Sequence, residues 1–399
     1  MDEAVAVGTG LVVLGALAWV LYRPKVQQSK RYQATVVPLS NIMDVGFIVM
    51  APAVVLLAGY SAPLVMLGIC MVAIGAGFAV AYNIRHYEPL VGTGDRVNLV
   101  GHPARWALTL ASVINIAYYT LLLVTLVLWP LNAYSETNLA IVGTVLLLGL
   151  VVVGFSGRMD TLNRLGDKTT AFNISAVVAV VVAFIVYNLQ EALGGRWDPP
   201  PIDTSITGDD FRKIIGLFAI VQGFEAARYI GGRFGAGLRI TTMRAAQMIS
   251  TVVFVAFLAS VLILFVQVET DFDGTSIFLV SDTVGDLMPW LILLAAVGSQ
   301  TSAIIGATMS RSDMIVDHAA RIPRRWTFVI LLVPAIVLFL LSDIAQAVAL
   351  ASRVFAVYFV LQASIAWILA HRDRNWGAVG GFTVVALVMG AIAIFGLPL

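Results

Sequence analysis

The chain consists of apolar segments that follow one another with short gaps, each about as long as a bilayer core is thick. A helix needs roughly 20 apolar residues to cross that core. Sixty per cent of the 399 residues are hydrophobic and only 12% are charged, so lipid rather than water is the expected solvent. We therefore predict an all-α polytopic membrane protein embedded in a lipid bilayer. The twelve predicted spans are 5–22, 39–60, 62–84, 105–131, 138–157, 169–190, 211–231, 243–268, 286–310, 326–342, 344–370 and 376–398.

The positions of lysine and arginine test this topology, because cytoplasmic loops carry an excess of both. An outside N-terminus places 20 of the 24 basic residues in inner loops and three in outer loops, with Arg353 left inside a span. A miscounted helix would invert every later loop and remove this bias. In the first segment the basic residues follow the apolar stretch, which is the reverse of a signal peptide. We expect a multi-pass protein of the plasma (inner) membrane with both termini outside.

Ten spans remain when the first and last are set aside, and they divide into two sets of five that start on opposite sides of the membrane. Two five-helix units of similar length and opposite orientation are what an inverted repeat requires. We predict one transmembrane domain over 1–399. Its parts are an extra N-terminal helix (1–37), a first repeat (38–193), a second repeat (194–371) and an extra C-terminal helix (372–399).

The opening helix of each half carries residues that interrupt a helix. In the first half, Pro52 removes a backbone donor and is predicted to free carbonyls near Ile48 and Val49, while Gly46 weakens the helix further. In the second half, the polar cluster 222–225 interrupts an apolar run. Interrupted helices in corresponding positions are typical of a transport site, because they expose half-helix ends at mid-membrane.

Three short motifs resemble permeases of the amino acid–polyamine–organocation superfamily: Met50-Ala51-Pro52-Ala53, the following Gly59-Tyr60-Ser61-Ala62-Pro63-Leu64, and Gly223-Phe224-Glu225. The resemblance covers roughly residues 38–370. It implies a leucine-transporter type of fold that moves an amino acid or related small organic solute by alternating access. The first and sixth core helices would then be unwound around the substrate, and the third would line it. In place of the family's Gly-Ser-Gly type of substrate loop, this chain has Val49-Met50-Ala51.

The substrate-binding residues expected on this basis lie on the two opening helices and on the fourth span. They are Val49, Met50, Ala51, Asn115, Tyr118, Tyr119, Gln222, Gly223, Phe224 and Glu225. Tyrosines in helices are also routine packing residues. For Tyr118 and Tyr119, both interpretations stay open.

Relatives that are coupled to sodium use a hydroxyl pair on the eighth core helix, which corresponds here to Thr301 and Ser302. With the carbonyl of Ile48 they form the expected sodium site, although such hydroxyls also bond to the preceding turn. Proton-coupled relatives often place a lysine in the middle of the fifth core helix, whereas Lys168 lies at its inner mouth. That difference favours sodium. Glu225 is the alternative carrier, as a proton site.

Three charged residues in or beside the spans are expected to form gates, because intramembrane charge is costly without a partner. They are Asp44, expected to pair with a basic residue at the inner gate, Arg228, the alternative partner of Glu225, and Arg353, which could hold a substrate carboxylate or lock an outer gate.

Two other functions are compatible with the same pattern of spans. An inorganic-cation transporter and a non-transporting sensor subunit on the same scaffold stay open as rivals. The chain has no phosphate-binding loop, metal-ligand cluster or nucleophile–base pair, so we predict no enzymatic activity, no nucleic-acid partner and no cofactor other than a bound sodium ion. The substrate's identity and the oligomeric state are not determined by the sequence.

Overall fold

A computed structural model describes residues 2–157, 159–197, 206–262, 264, 275–318 and 322–399, apart from the side chains of 2–3, 159–169, 279 and 317–318. All regular secondary structure in these residues is helical. The helices are α1 Asp2–Leu21, α2 Pro24–Gln27, α3 Lys30–Ile42, α4 Gly46–Ala58, α5 Ala62–His86, α6 Asn98–Leu128, α7 Glu136–Phe155, α8 Met159–Leu193, α9 Gly208–Ile215, α10 Ala236–Val261, α11 Ser276–Asp282, α12 Met288–His318, α13 Arg324–Leu341, α14 Ile344–Arg372 and α15 Trp376–Phe395. Short 3₁₀ segments cover Gly59–Ser61, Glu88–Leu90, Phe218–Val221 and Phe224–Ile230.

Polar residues outside the apolar runs fix where several helices begin. The Ser135 hydroxyl accepts from the backbone N–H of Asn138 at the start of α7, and Asp343 and Asn375 cap α14 and α15 in the same way. Thr207 forms a reciprocal capping box that starts α9. Each cap satisfies an N–H that has no partner within its helix.

Ten stretches in the described part of the chain are long and apolar enough to cross a membrane. One of them, Gly46–His86, is 41 residues long and contains both α4 and α5. The predicted span 211–231 consists of short helical pieces and is not among the ten. A multi-pass membrane protein is therefore confirmed, and the count of twelve crossings stays a prediction.

Helix α6 lies at the centre of the fold. Its most apolar stretch is 89% buried, against 17% for α1, α7 and α15, which lie at the periphery. Helix α6 packs against α12, α13 and α14, and α12 in turn packs against α8. The peripheral helices each have one main partner, since α1 packs on α8, α7 on α13 and α15 on α14.

Glycine allows α7 to approach α13 closely, as small residues do in membrane helix pairs. A Cβ at Gly154 would overlap the ring of the fully buried Phe328. By contrast, a Cβ at Gly149, on the same helix, would meet nothing within 4 Å.

We expect Gly154→Ala to lower the melting temperature of the purified protein, because the new methyl group must push Phe328 and α13 away. Gly149→Ala is the matched control, since both changes gain the same helix propensity of about 1 kcal/mol and only one creates an overlap. Thermal unfolding followed by tryptophan fluorescence measures both. Equal melting temperatures in the two variants would contradict the packing described here.

Candidate functional site

The first interrupted helix breaks between α3 and α4, at Met43, Asp44 and Val45. Met43 leaves the helical conformation, with φ −88° and ψ 57°, and the Asp44 carboxylate accepts from the backbone N–H of Gly46 at 2.6 Å. The predicted break at Val49-Met50-Ala51 is wrong, because α4 continues through these residues. Pro52 removes one helical hydrogen bond but does not end the helix, as is common in membrane helices packed against neighbours.

Side chains from three surrounding helices bond to this first break. From α12, the Ser299 hydroxyl accepts from the Val45 N–H at 3.0 Å. From α8, the Asn173 amide donates to the Met43 carbonyl at 3.4 Å. From α6, the Tyr119 hydroxyl donates to the Asp44 carboxylate. The break is therefore held by side chains rather than by water alone.

Two residues of α6 extend this network. The Asn115 amide donates to the Tyr119 hydroxyl at 3.1 Å. Tyr118 approaches Gly46 so closely that a Cβ there would lie 2.6 Å from its hydroxyl and 2.6 Å from Asp44 Oδ1. A side chain at position 46 would thus displace either the tyrosine or the carboxylate.

The second interrupted helix breaks at Gln222 and Gly223, inside the predicted cluster 222–225. Gln222 is extended and Gly223 has φ +116°, a conformation that favours glycine. A Cβ at Gly223 would lie 2.6–2.8 Å from backbone and side-chain atoms of Asn41, so this break packs directly on the end of α3. The buried Glu225 carboxylate accepts from the Gly223 N–H at 2.9 Å.

Glu225 is surrounded by groups from three other helices. The positive charge that acts on it is that of Arg311 on α12, and its charge in turn reaches Tyr119 on α6 and Tyr358 on α14. Asp44 also acts on Tyr119, so the buried carboxylates of both breaks are close enough to influence the same tyrosine.

Arg311 was not expected there, because the sequence placed it in an inner loop after a span ending at 310. Helix α12 continues to His318, and Arg311 is 5% exposed. The buried residues Gln300, Thr308 and Arg311 recur at spacings of eight and three, which place them on one face of a helix. This spacing in the sequence could have indicated that the helix continues through Arg311.

Several buried polar atoms near the breaks have no hydrogen-bond partner in the described residues. They include acceptor oxygens of Asn115 and Asn173, the Tyr118 hydroxyl and both amide atoms of Gln300. Unpartnered buried polar atoms are costly and rare in proteins. These atoms are therefore available to bond with further groups at the first break.

The predicted site residues fall into three groups. Asn115, Tyr118, Tyr119, Gln222, Gly223, Glu225 and Asp44 lie in or beside the breaks. Ile48, Val49, Met50 and Ala51 are buried in the continuous helix α4. Phe224 packs against Phe359, with ring centroids 5.0 Å apart.

The expected hydroxyl pair on α12 is divided. Both residues are partly exposed, and Ser302 shares a hydrogen bond of 3.2 Å with Thr170 on α8. The residue of α12 that contacts the break is Ser299, three positions before Ser302 and on the same helix face. The side chain of Lys168 lies outside the described residues.

The three gate residues make other contacts than expected. Asp44 bonds to Gly46 and Tyr119 and to no basic residue of the described chain. Arg228 donates to the Gln362 amide oxygen on α14, not to Glu225. Arg353 donates to the Gly396 carbonyl at 2.7 Å, so it is joined to the end of α15 rather than to an acid.

Two adjoining cavities lead towards the breaks from the end of the fold that the sequence predicts to be cytoplasmic. One, of about 940 Å³, lies between α6, α12 and the 3₁₀ segment 224–230. The other, of about 350 Å³, reaches Asn41, Thr170 and Ser302. Tyr229, Ile230, Arg233 and Ser310 line both. The structure is therefore open on the side where the sequence places most basic residues.

Comparison with known proteins agrees with this architecture. An uncharacterised protein of Aquifex aeolicus (strain VF5) is 26% identical over 382 residues, which cover 94% of this chain and 92% of that protein. The profile of the APC superfamily transporters matches residues 24–396, from the short α2 to the end of α15. Because this match spans nearly the whole chain, the protein belongs to the APC superfamily of transporters.

Proposed function

We propose that the chain is a secondary active transporter that moves an amino acid or related small organic solute by alternating access, coupled to sodium. One observation carries the proposal. Two interrupted helices contact each other at Asn41 and Gly223, and each break holds a buried carboxylate, Asp44 or Glu225. Half-helix ends that meet in the middle of a membrane domain are where transporters bind substrate and ions.

The packing of the helices supports an inverted repeat. One repeat would hold α3–α4, α5, α6, α7 and α8, and the other α9 with the following 3₁₀ segments, α10, α12, α13 and α14. In these repeats α5, α6, α7 and α8 correspond to α10, α12, α13 and α14. If the repeats are related by symmetry, α5 should pack on α10, α7 on α13, and the pair α6–α14 should have an equivalent in α12–α8. All four pairs are packed. Alternating access requires two such exchangeable arrangements.

We place the sodium site at the first break rather than at Thr301 and Ser302. Sodium, like other hard cations, prefers oxygen ligands, and unwound backbone supplies them in transporters. The Asp44 carboxylate, the Tyr118 hydroxyl and the unpartnered amide oxygens of Asn115 and Asn173 are grouped around Met43–Gly46. The partly exposed Thr301 is not in this group.

Proton coupling is the second candidate, and the burial of Asp44 and Glu225 favours it. A carboxylate that is protonated in one half of the transport cycle and ionised in the other does not need the several oxygen ligands that sodium requires. It needs only a path for the proton, which the inner cavities supply near Glu225 through Tyr229 and Ala226.

We expect sodium to raise the melting temperature of the purified protein relative to N-methylglucamine, and Asp44→Asn to abolish this rise because it removes the charged ligand. A ligand at about 100 times its Kd adds about 2.7 kcal/mol to the free energy of unfolding. Thr301→Ala, on the helix that supplies Ser299, is the matched control and should keep the effect.

If sodium still raises the melting temperature of Asp44→Asn but not that of Thr301→Ala, sodium binds at the hydroxyl pair Thr301 and Ser302 instead. The proton-coupled alternative predicts two results. The melting temperature does not change with sodium, and solute uptake is driven by a pH gradient and lost in Glu225→Gln.

Alternating access can be tested with single cysteines, because the one native cysteine, Cys70, is buried. We expect Ser302→Cys, in the inner cavity, to react with a charged maleimide from one side of the membrane only. Tyr134→Cys, at a cavity beside the start of α7, should react from the other side. Sodium and solute that close the inner path should slow labelling at 302 and not at 134. Labelling of both from the same side would contradict the proposal.

A further inference from the structure

We propose that Arg311, together with Arg228 and Tyr229, forms a binding point for a carboxylate at the inner end of the transport path. The substrate would therefore be an organic anion or zwitterion rather than an amine or a metal cation. This inference rests on the proposed function and specifies its substrate class.

Arg311 is a buried charge whose hydrogen bonds are incomplete. Its Nε donates to the Ser112 hydroxyl at 2.7 Å, and its Nη1 is buried with no hydrogen-bond partner. Glu225 acts on it electrostatically, but the two groups form no ion pair within the described residues. An arginine inside a membrane domain is expensive unless it is paired, and a planar guanidinium matches a carboxylate with two parallel bonds.

Two guanidinium groups lie near the ring of Tyr229. The Cζ of Arg311 is 5.2 Å from the centre of the tyrosine ring, and the Cζ of Arg228 is 5.8 Å from it. The ring lines both inner cavities. Arg311 is thus positioned one side chain behind the cavity wall, and the ring holds both cations in place.

The charges on the wall of the larger cavity add to this effect. Three arginines line it, namely Arg105, Arg228 and Arg233. Its two acids are engaged elsewhere. Glu88 makes two bonds, of 2.9 and 2.5 Å, to Arg239, and Asp313 pairs with Arg324. Neither of these partner arginines lines the cavity, so the wall presents uncompensated positive charge, which attracts anions and repels cations.

These observations favour a carboxylate over the other solutes considered. A carboxylate would complete the hydrogen bonds of Arg311, because it accepts from the unpaired Nη1, whereas an amine or a metal cation offers no acceptor. An inorganic anion shares this chemistry, and the experiment must separate the two.

The test measures ligand binding to the full chain in nanodiscs of zwitterionic lipid, with sodium methanesulfonate as background salt. The probes are glutamate, succinate and acetate, with putrescine for amines and chloride for inorganic anions. We expect at least one carboxylate to raise the melting temperature. Arg311→Lys, which keeps the charge but loses the planar fork, should weaken its Kd about 10-fold or more.

Two further variants make the result interpretable. Arg244→Gln changes an arginine that lies over Phe78, away from this path, and should leave the carboxylate Kd unchanged. Arg228→Gln repeats the test at the cavity wall, should Arg311→Lys prove unstable without ligand. Carboxylate binding that is equal in the unmodified protein, Arg311→Lys and Arg228→Gln would overturn the inference, as would a response to chloride alone.

Transport assays distinguish failure of this inference from failure of the proposed function. If proteoliposomes take up putrescine and Arg311→Lys does not change this uptake, the transport function is supported and the carboxylate site is contradicted. Carboxylate binding that depends on Arg311, without uptake of any probe under a sodium or proton gradient, would keep the site and overturn the function.

Discussion

The fold depends on a single constraint, namely that backbone groups freed by a break in a membrane helix must find partners inside the protein. The chain breaks two central helices and meets the demand in the same way each time. An acid placed near the break accepts from a backbone N–H two residues away, Asp44 from Gly46 and Glu225 from Gly223. Each break therefore carries its own partner for an otherwise orphaned donor.

The surrounding helices supply hydrogen-bond partners for the groups at the first break that its own residues do not satisfy. Helices α6, α8 and α12 supply Tyr119, Asn173 and Ser299 to the first break. The same helices also carry the amide and hydroxyl oxygens that are left without partners. An unpaired polar group costs more than a hydrogen bond gains, and the proposed ion site would supply partners for the unpaired oxygens beside the first break.

At the end of the protein that is predicted to be cytoplasmic, charged side chains are held by a connected set of hydrogen bonds. Arg239 bonds to Glu88 and also to the Arg228 carbonyl at 2.8 Å, at the end of the second interrupted helix. The Arg228 side chain bonds to Gln362, which also accepts from Asn83 at 2.9 Å. These contacts join α5, α10 and α14 to one segment, 224–230. Movement of that segment must therefore break or carry along a connected set of bonds, as a gate requires.

Hydropathy and periodicity were sufficient to predict the class of fold. Long apolar runs predicted a multi-pass helical protein, and short motifs on the opening helices predicted the superfamily, because both signals are local in the chain. The second break was also predicted locally, since Gly223 and the polar residues beside it disfavour a helix. The first was predicted at Val49-Met50-Ala51, six residues after the break that the structure shows at Met43-Asp44-Val45, because the prediction relied on Pro52. A proline can be tolerated inside a packed membrane helix, whereas an acid that captures the next turn's N–H ends one.

The sequence by itself determined that the chain is an α-helical membrane protein of this superfamily and that two of its helices are candidates for interruption. Only the tertiary structure decided which polar residues meet. Ser299 rather than Thr301 contacts the first break, Asp44 has no basic partner in the described residues, and Arg311 lies buried near Glu225. The reason is physical. Hydropathy is a sum over neighbours in the chain, whereas a binding site is formed by side chains from helices that are far apart in sequence and are brought together only by packing.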